Sequence, residues 1–296
     1  MHLPCSQAGA AMRLIELTEK SRPYAGRGKT SGDPRSVTKF AWLRPLVFGG
    51  TVALLAGCAS VAPEWRGELS KGASTKTASL SPAALTAALG QFEEGKWINS
   101  HAGALNCGVD VHHYQYSTVD GKGQRTTASS ALMVPTGPSP KCSGARPVIV
   151  ALHGTMPDRR YNLADLSGKN AASGRALAWA GTYAAQGYIV VAPNYAGFDT
   201  SSLSYHPYHD GDQQSKDVID ALASARALLP AVGSRASDKV FLVGYSQGGY
   251  VAMATHRAMQ AAGIPVTASM PSSGAYPIGV LADDLFMGRP VNGSPI

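Results

Sequence analysis

The sequence predicts an α/β fold, a mostly parallel sheet with helices on both faces, and three observations predict it. Continuous apolar runs at Val148–Leu152, Tyr188–Ala192 and Val240–Gly244 have the length and composition of strands covered on both sides. Helical stretches at 171–186, 215–229 and 246–262 alternate with those runs, and strand–helix alternation specifies this architecture. The pentapeptide Gly244-Tyr245-Ser246-Gln247-Gly248 falls where the last of these strands gives way to its helix, so it marks a sharp hinge.

Along the chain, residues 1–57 form a leader distinct from the rest. They hold eight of the 26 Lys and Arg and three of the 19 Asp and Glu, which leaves the remainder close to neutral. The net charge of +7 is therefore no basic binding stripe, and a nucleic-acid partner is not expected. Leu46–Cys58 is apolar, uncharged and too short to span a bilayer, and Lys39 and Arg44 precede it as in a signal peptide. Its ending, Leu55-Ala56-Gly57-Cys58, resembles a bacterial lipobox, which implies lipidation at Cys58, a membrane anchor and a place in the bacterial cell envelope. Residues 1–36 do not fit that pattern, and Val37 is the more natural start.

Residues 58–80 are small, polar and aperiodic and read as a flexible tether, so the folded domain is expected over 81–296. Ser81-Pro82 caps a short helix through Leu89. Val109–Tyr116 and Thr126–Val134 alternate as strands around the turn Asp120-Gly121-Lys122-Gly123, an antiparallel hairpin expected at the sheet edge. Pro135–Pro147 is a loop, and the central strands and helices named above follow it. The helix over 171–186 closes at Gly187, the one over 215–229 ends before Pro230, and the one after the hinge ends at Gly263. Val266–Met270 is one further strand and Leu281–Phe286 a short helix. Of four cysteines, Cys5 and Cys58 lie in the leader, which leaves Cys107 and Cys142 as a disulfide candidate; two buried free thiols are the alternative.

The chemistry centres on Ser246. A free serine hydroxyl is a weak nucleophile, but a tight strand-to-helix turn lifts it clear of the sheet, and the glycines two residues to either side relieve crowding. The helix that follows directs free N–H groups and its positive end at an oxyanion. An ordinary glycine-rich βα turn is the competing reading.

With Ser246, two further segments carry a resemblance. His153-Gly154-Thr155 follows the first parallel strand and Pro193-Asn194-Tyr195-Ala196-Gly197 follows the next. Over residues 105–296 the chain resembles the α/β-hydrolase family, bacterial and fungal secreted lipases and esterases above all. That resemblance implies Ser246 as nucleophile, with the Gln247 N–H and the N–H of Gly154 or Thr155 as oxyanion donors. It also implies a small-molecule or lipid ester substrate, no cofactor and no metal. His153 is expected to shape its loop rather than act as base. The family places Asp/Glu and then His after the nucleophile. The only histidine after Ser246 is His256, ten residues along the hinge helix and too far to reach the hydroxyl. Asp283 and Asp284 follow no convincing strand. The expectation is therefore a hydrolase lacking the last strands of its fold, with a catalytically dead envelope lipoprotein as the alternative and a peptidase or acyltransferase on the same scaffold as a third reading. Tyr205–Asp210 carries two histidines and could in principle ligate a metal, but Pro207 between them breaks any shared face, and it reads as a polar surface loop. His112 and His113 point to opposite faces of a strand and form no chelating pair.

Overall fold

The computed structural model describes residues 62–289. Seven strands form one sheet in the order β1-β2-β3-β5-β4-β6-β7. They are β1 (Leu69–Leu80), β2 (Gly108–Val119), β3 (Arg125–Thr136), β4 (Ala145–Leu152), β5 (Ile189–Pro193), β6 (Arg235–Tyr245) and β7 (Ala268–Ser272). Strands β5, β4, β6 and β7 run parallel, while β3, β2 and β1 add antiparallel pairings on one side. The helices are α1 (Pro82–Leu89), α2 (Glu93–His101), α3 (Ser173–Thr182), α4 (Gly211–Leu228), α5 (Gln247–Ala261) and α6 (Ile278–Phe286). Helices α1 and α2 pack on α3, and α4 packs on α5 and β2.

The central strands are buried because their neighbours cover both faces. Val148, Val150, Ile189, Val190, Val191, Val240 and Leu242 all lie in the core. Burying side chains of this size contributes about 1.5–3 kcal/mol each. Ser81 caps α1 as its sequence predicts, its side chain accepting the Ala84 N–H at 3.1 Å. Gly187 and Gly263 both take positive φ where the preceding helical segments end.

Three expectations change. The tether does not extend through residue 80, because Leu69–Leu80 is a twelve-residue strand paired with β2. It is an edge strand whose Thr75, Lys76, Thr77 and Ser79 are exposed and polar, while Leu69, Ala78 and Leu80 pack partly against the core. Lys76 Nζ and Ser79 Oγ both reach the Asp110 carboxylate, each at 2.6 Å. The chain is already docked before that strand: Arg66 pairs with Asp220 at 2.9 Å and the Gly67 N–H donates to the Ser117 carbonyl. For the same reason the β2–β3 hairpin is not at the sheet edge, because β1 covers β2. Helix α4 starts at Gly211, four residues earlier than expected, since Asp210 is its N-cap and accepts the Gln213 N–H at 3.0 Å.

Cys107 and Cys142 are joined by a disulfide that closes a loop of 35 residues in sequence. It ties the residue before β2 to the segment before β4. Reduction is expected to cost about 2–4 kcal/mol of stability. A lower thermal midpoint in dithiothreitol checks this, and a Cys107→Ser/Cys142→Ser chain should show the same loss with no further response to reductant. Cys58 and the apolar run before it lie outside the described residues. Among the described residues no helix is long and apolar enough to cross a membrane.

Candidate active site

Ser246 stands between β6 and α5 with φ +56° and ψ −122°. A β-carbon costs energy in that region of backbone space, roughly 1–3 kcal/mol, so the surroundings must impose it. They do so by close approach. A β-carbon on Gly244 would strike the Gly248 carbonyl, and one on Gly248 would strike the carbonyls of Leu152 and His153. The Ser246 N–H donates to the Ser272 carbonyl at 2.9 Å, which fastens the bend to the end of β7. Ser246 itself is half-buried, and α5 begins at the next residue.

The loop after β4 lies against this bend. Leu152 pairs with Gly244 in the parallel ladder, so the two strands end side by side. A β-carbon on Gly154 would sit 3.6 Å from Ser246 Cβ and 3.4 Å from the Tyr245 carbonyl oxygen. Gly154, Thr155, Ser246 and Gly244 line one cavity of about 590 Å³. Gln247 is buried at the start of α5, with its side chain turned away from that cavity towards His206.

His153 is buried and holds its loop, as expected from the sequence. Nδ1 faces the Gly154 carbonyl at 2.7 Å and Nε2 faces the Asn194 carbonyl at 3.2 Å. Burial pushes the imidazole down to about 4, opposed by the two carbonyls. Tyr195 and Tyr161 pack on its ring, with centroids at 4.2 and 4.7 Å. His256 is far along α5 and bonds Ser269 Oγ at 2.9 Å. Among the described residues no imidazole is hydrogen-bonded to Ser246 Oγ.

The 205–210 loop is not a free polar surface loop but a brace on two sides of the bend. His206 Nδ1 lies 3.0 Å from the Ala196 carbonyl, and Nε2 lies 2.6 Å from Gln247 Nε2. The network therefore assigns the proton to Nδ1, with Nε2 accepting from the Gln247 amide. Burial lowers the His206 pKa, partly offset by the Ala196 carbonyl, and the neighbouring His209 lowers it further, which favours this neutral form. Tyr208 Oη meets Thr155 Oγ1 at 2.8 Å. Both ring nitrogens of His206 are thus engaged by the protein rather than offered to a metal. His206→Ala is expected to cost about 2 kcal/mol, since it strands the Gln247 amide and empties a site packed by Tyr195 and Phe198. Urea denaturation measures this, and an unchanged midpoint would show that the brace carries no load. His113, on the other face from His112, holds Asp199 Oδ2 at 2.6 Å, with Ser129 Oγ on the same oxygen at 2.7 Å.

His206 and Tyr208 lie in the loop that the sequence singles out, but their roles depend on partners 41 and 53 residues away. Arg175, Trp179 and Phe92, which also line the cavity, are ordinary helix-terminal and helix-face residues until the helices pack. Asp217, buried in α4, accepts Tyr116 Oη–H at 2.9 Å and the Ala196 N–H at 2.7 Å, so it pins the loop after β5.

A strand-to-helix bend carrying a serine, braced by the loop of a neighbouring parallel strand, defines the class: the chain has an α/β-hydrolase-type fold. Particular relatives agree. Residues 176–263 match the prolyl oligopeptidase family. Crystal structures of the rice cell wall degrading esterase LipA from Xanthomonas oryzae are similar at 32–33% identity and a TM-score of 0.62, over 75% of this chain and 54% of that one. The chain thus spans about half the length of those esterase structures. A candidate hydrolase from Legionella pneumophila shares the fold at 24% identity and a TM-score of 0.58, over 70% of this chain and 52% of that one. No curated protein sequence matches the chain.

Proposed function

We propose that this chain carries the nucleophile of a serine hydrolase acting on carboxylic esters. The observation that carries the reading is the strained bend at Ser246 with Gly154 pressed against it at the mouth of a cavity. Ser246 Oγ attacks the ester carbonyl, and the N–H groups of Gln247 and of Gly154 or Thr155 hold the oxygen that becomes negative. One such donor is worth about 3–4 kcal/mol in serine hydrolases. Collapse of that intermediate breaks the ester C–O bond, leaves the acyl group on Oγ and releases the alcohol, which carries away the proton lost from Oγ; water then takes the acyl group as the acid, and one of its protons restores the hydroxyl. The similarity to a cell wall degrading esterase favours an ester as substrate. Lipidation at Cys58 would hold the protein on a membrane of the bacterial envelope, following the lipobox-like sequence before it.

A peptidase is the second reading, favoured by the prolyl oligopeptidase match across the bend. A fluorophosphonate probe with peptide mapping tests the serine chemistry. The expected result is a label on the peptide holding Ser246; an intact, folded chain that takes no label would be a non-catalytic relative. Release of p-nitrophenol from p-nitrophenyl esters, against p-nitroaniline from peptide anilides, separates the two substrate classes.

A further inference from the structure

Among the described residues, neither the Gln247 N–H nor the Thr155 N–H donates a hydrogen bond to the protein. The two belong to separate segments, the first turn of α5 and the loop after β4. One short stretch, residues 206–209, touches both. His206 Nε2 accepts from the Gln247 side-chain amide, and Tyr208 Oη meets Thr155 Oγ1.

That stretch is itself fixed from several directions. His206 Nδ1 is held by the Ala196 carbonyl, and a β-carbon on Gly197 would strike the Tyr205 carbonyl and His206 Cα. Pro207, between the two contact residues, is buried and restricts the backbone there. Tyr250 Oη donates to the His209 carbonyl at 2.9 Å, while the Tyr250 N–H donates to the Ser246 carbonyl at 3.2 Å. Asp210, the next residue, caps α4.

Stability alone does not account for the two contacts. The Gln247 amide is buried with Oε1 unpaired, an arrangement that costs energy where an apolar side chain would not. The Tyr208–Thr155 bond joins two neutral hydroxyls at exposed residues, where water competes for both. What the contacts do supply is position. Thr155 follows a glycine, whose backbone is free to shift unless a neighbour restrains it.

Resting on the serine-hydrolase reading above, we propose that residues 206–209 form a positioning frame for the oxyanion site: His206, through Gln247, and Tyr208, through Thr155, hold the two segments whose N–H groups receive the developing charge.

Fluorophosphonate labelling of Ser246 in the full chain tests this. Oγ bonds to phosphorus, fluoride leaves, the hydroxyl proton passes to solvent, and the phosphoryl oxygen gathers charge as an ester carbonyl oxygen would. Rates over a range of probe concentrations separate probe binding from the bond-forming step. Tyr208→Phe is expected to slow that step about tenfold, with binding and thermal midpoint unchanged; the loss is smaller than the ~10²–10³ of removing a donor outright, because the N–H is loosened and not deleted. His206→Ala should slow it similarly, and His206→Gln, whose amide oxygen can accept from Gln247 Nε2, should recover part of the rate. Should His206→Ala fail to fold, Tyr208→Phe carries the test alone. Backbone ¹⁵N relaxation gives a readout independent of chemistry: the Thr155 order parameter should fall in Tyr208→Phe from a rigid value of about 0.85. Labelling of Tyr208→Phe at the natural rate, a loss confined to probe binding, or an unchanged Thr155 order parameter would each overturn the proposal. A natural chain that takes no label removes the hydrolase reading alone, and the order parameter then decides whether the frame stands.

Discussion

A Ser246→Ala chain remains folded and takes no fluorophosphonate label. Ser246 lines the cavity where β6 gives way to α5, and an alanine side chain offers no oxygen in its place. The cost to the fold is small, because alanine keeps a β-carbon at the same positive φ that serine already adopts, and the Ser246 N–H to Ser272 carbonyl bond does not involve the side chain. The thermal midpoint should therefore move by no more than a degree or two, on the scale expected for a substitution of about 0.5 kcal/mol. Neutral ligands of the cavity should still bind, since the N–H groups of Gln247 and Gly154 remain. Ser272 is the internal control: it lines the same cavity, yet sits at the end of β7, with no helix starting at the next residue. Label migrating to Ser272, or persisting at full rate after the Ser246 substitution, would remove Ser246 from the chemistry. Mass spectrometry of the labelled peptides, alongside melting curves of both chains, decides it.

The sequence exposes this site because the bend is a local object. Five consecutive residues, with a strand before and a helix after, carry the constraint, and the structure explains it through Gly244 and Gly248, whose missing side chains admit neighbouring carbonyls. The central strands are legible for a related reason: residues buried on both faces must be apolar, so Val148–Leu152 and Ile189–Ala192 stand out without any partner in view. Edge structure follows different rules. Strand β1 is held by backbone pairing with β2 and by polar contacts to Asp110, neither of which leaves an apolar period. Helix α2 carries its charge at its N-terminus and buries only Gly95 and Ile98, too little to mark it before α3 arrives against it. The braces, His206 on Gln247 and Tyr208 on Thr155, join residues 41 and 53 apart in sequence. Pairings of that kind are decided by the tertiary fold, and no spacing rule encodes them.

Removing Asp217 should destabilise the chain more than any other single change in α4, and the loss should depend on pH in a defined direction. Asp217 is fully buried and serves two donors, Tyr116 Oη–H and the Ala196 N–H. Asp217→Ala leaves both unpaired beneath the loop that carries Tyr195 and Phe198, at a cost of roughly 3–5 kcal/mol. Asp217→Asn keeps the shape: its carbonyl can accept the Ala196 N–H while its amide donates to Tyr116 Oη. The charge is what differs. Burial raises the Asp217 carboxyl from its ordinary 3.8 to about 7, and nearby Asp220 raises it further, against the Ala196 N–H, Tyr116 and Arg66, which favour the charged form. A folded-state pKa above the unfolded one means that the folded chain binds the proton more tightly. The corresponding stability is present in full below about pH 4 and is lost as pH rises through 7. His153 runs the other way. Its imidazole is held down to about 4 against 6.5 when unfolded, so its contribution is present above 6.5 and is lost as pH falls towards 4. Across the same interval the two groups oppose each other, and the aspartate masks part of the acid sensitivity that the buried histidine creates. In Asp217→Asn that mask is gone. The stability of the natural chain relative to the variant should therefore grow steadily as pH is lowered from 7.5 to 4.5, with the variant closest to the natural chain, or above it, at the alkaline end. Urea midpoints of both proteins at three or four pH values across that range measure it; a difference independent of pH would mean that Asp217 is ionised to the same extent folded and unfolded, and that the anchoring of the Tyr195 loop is a matter of hydrogen bonds alone.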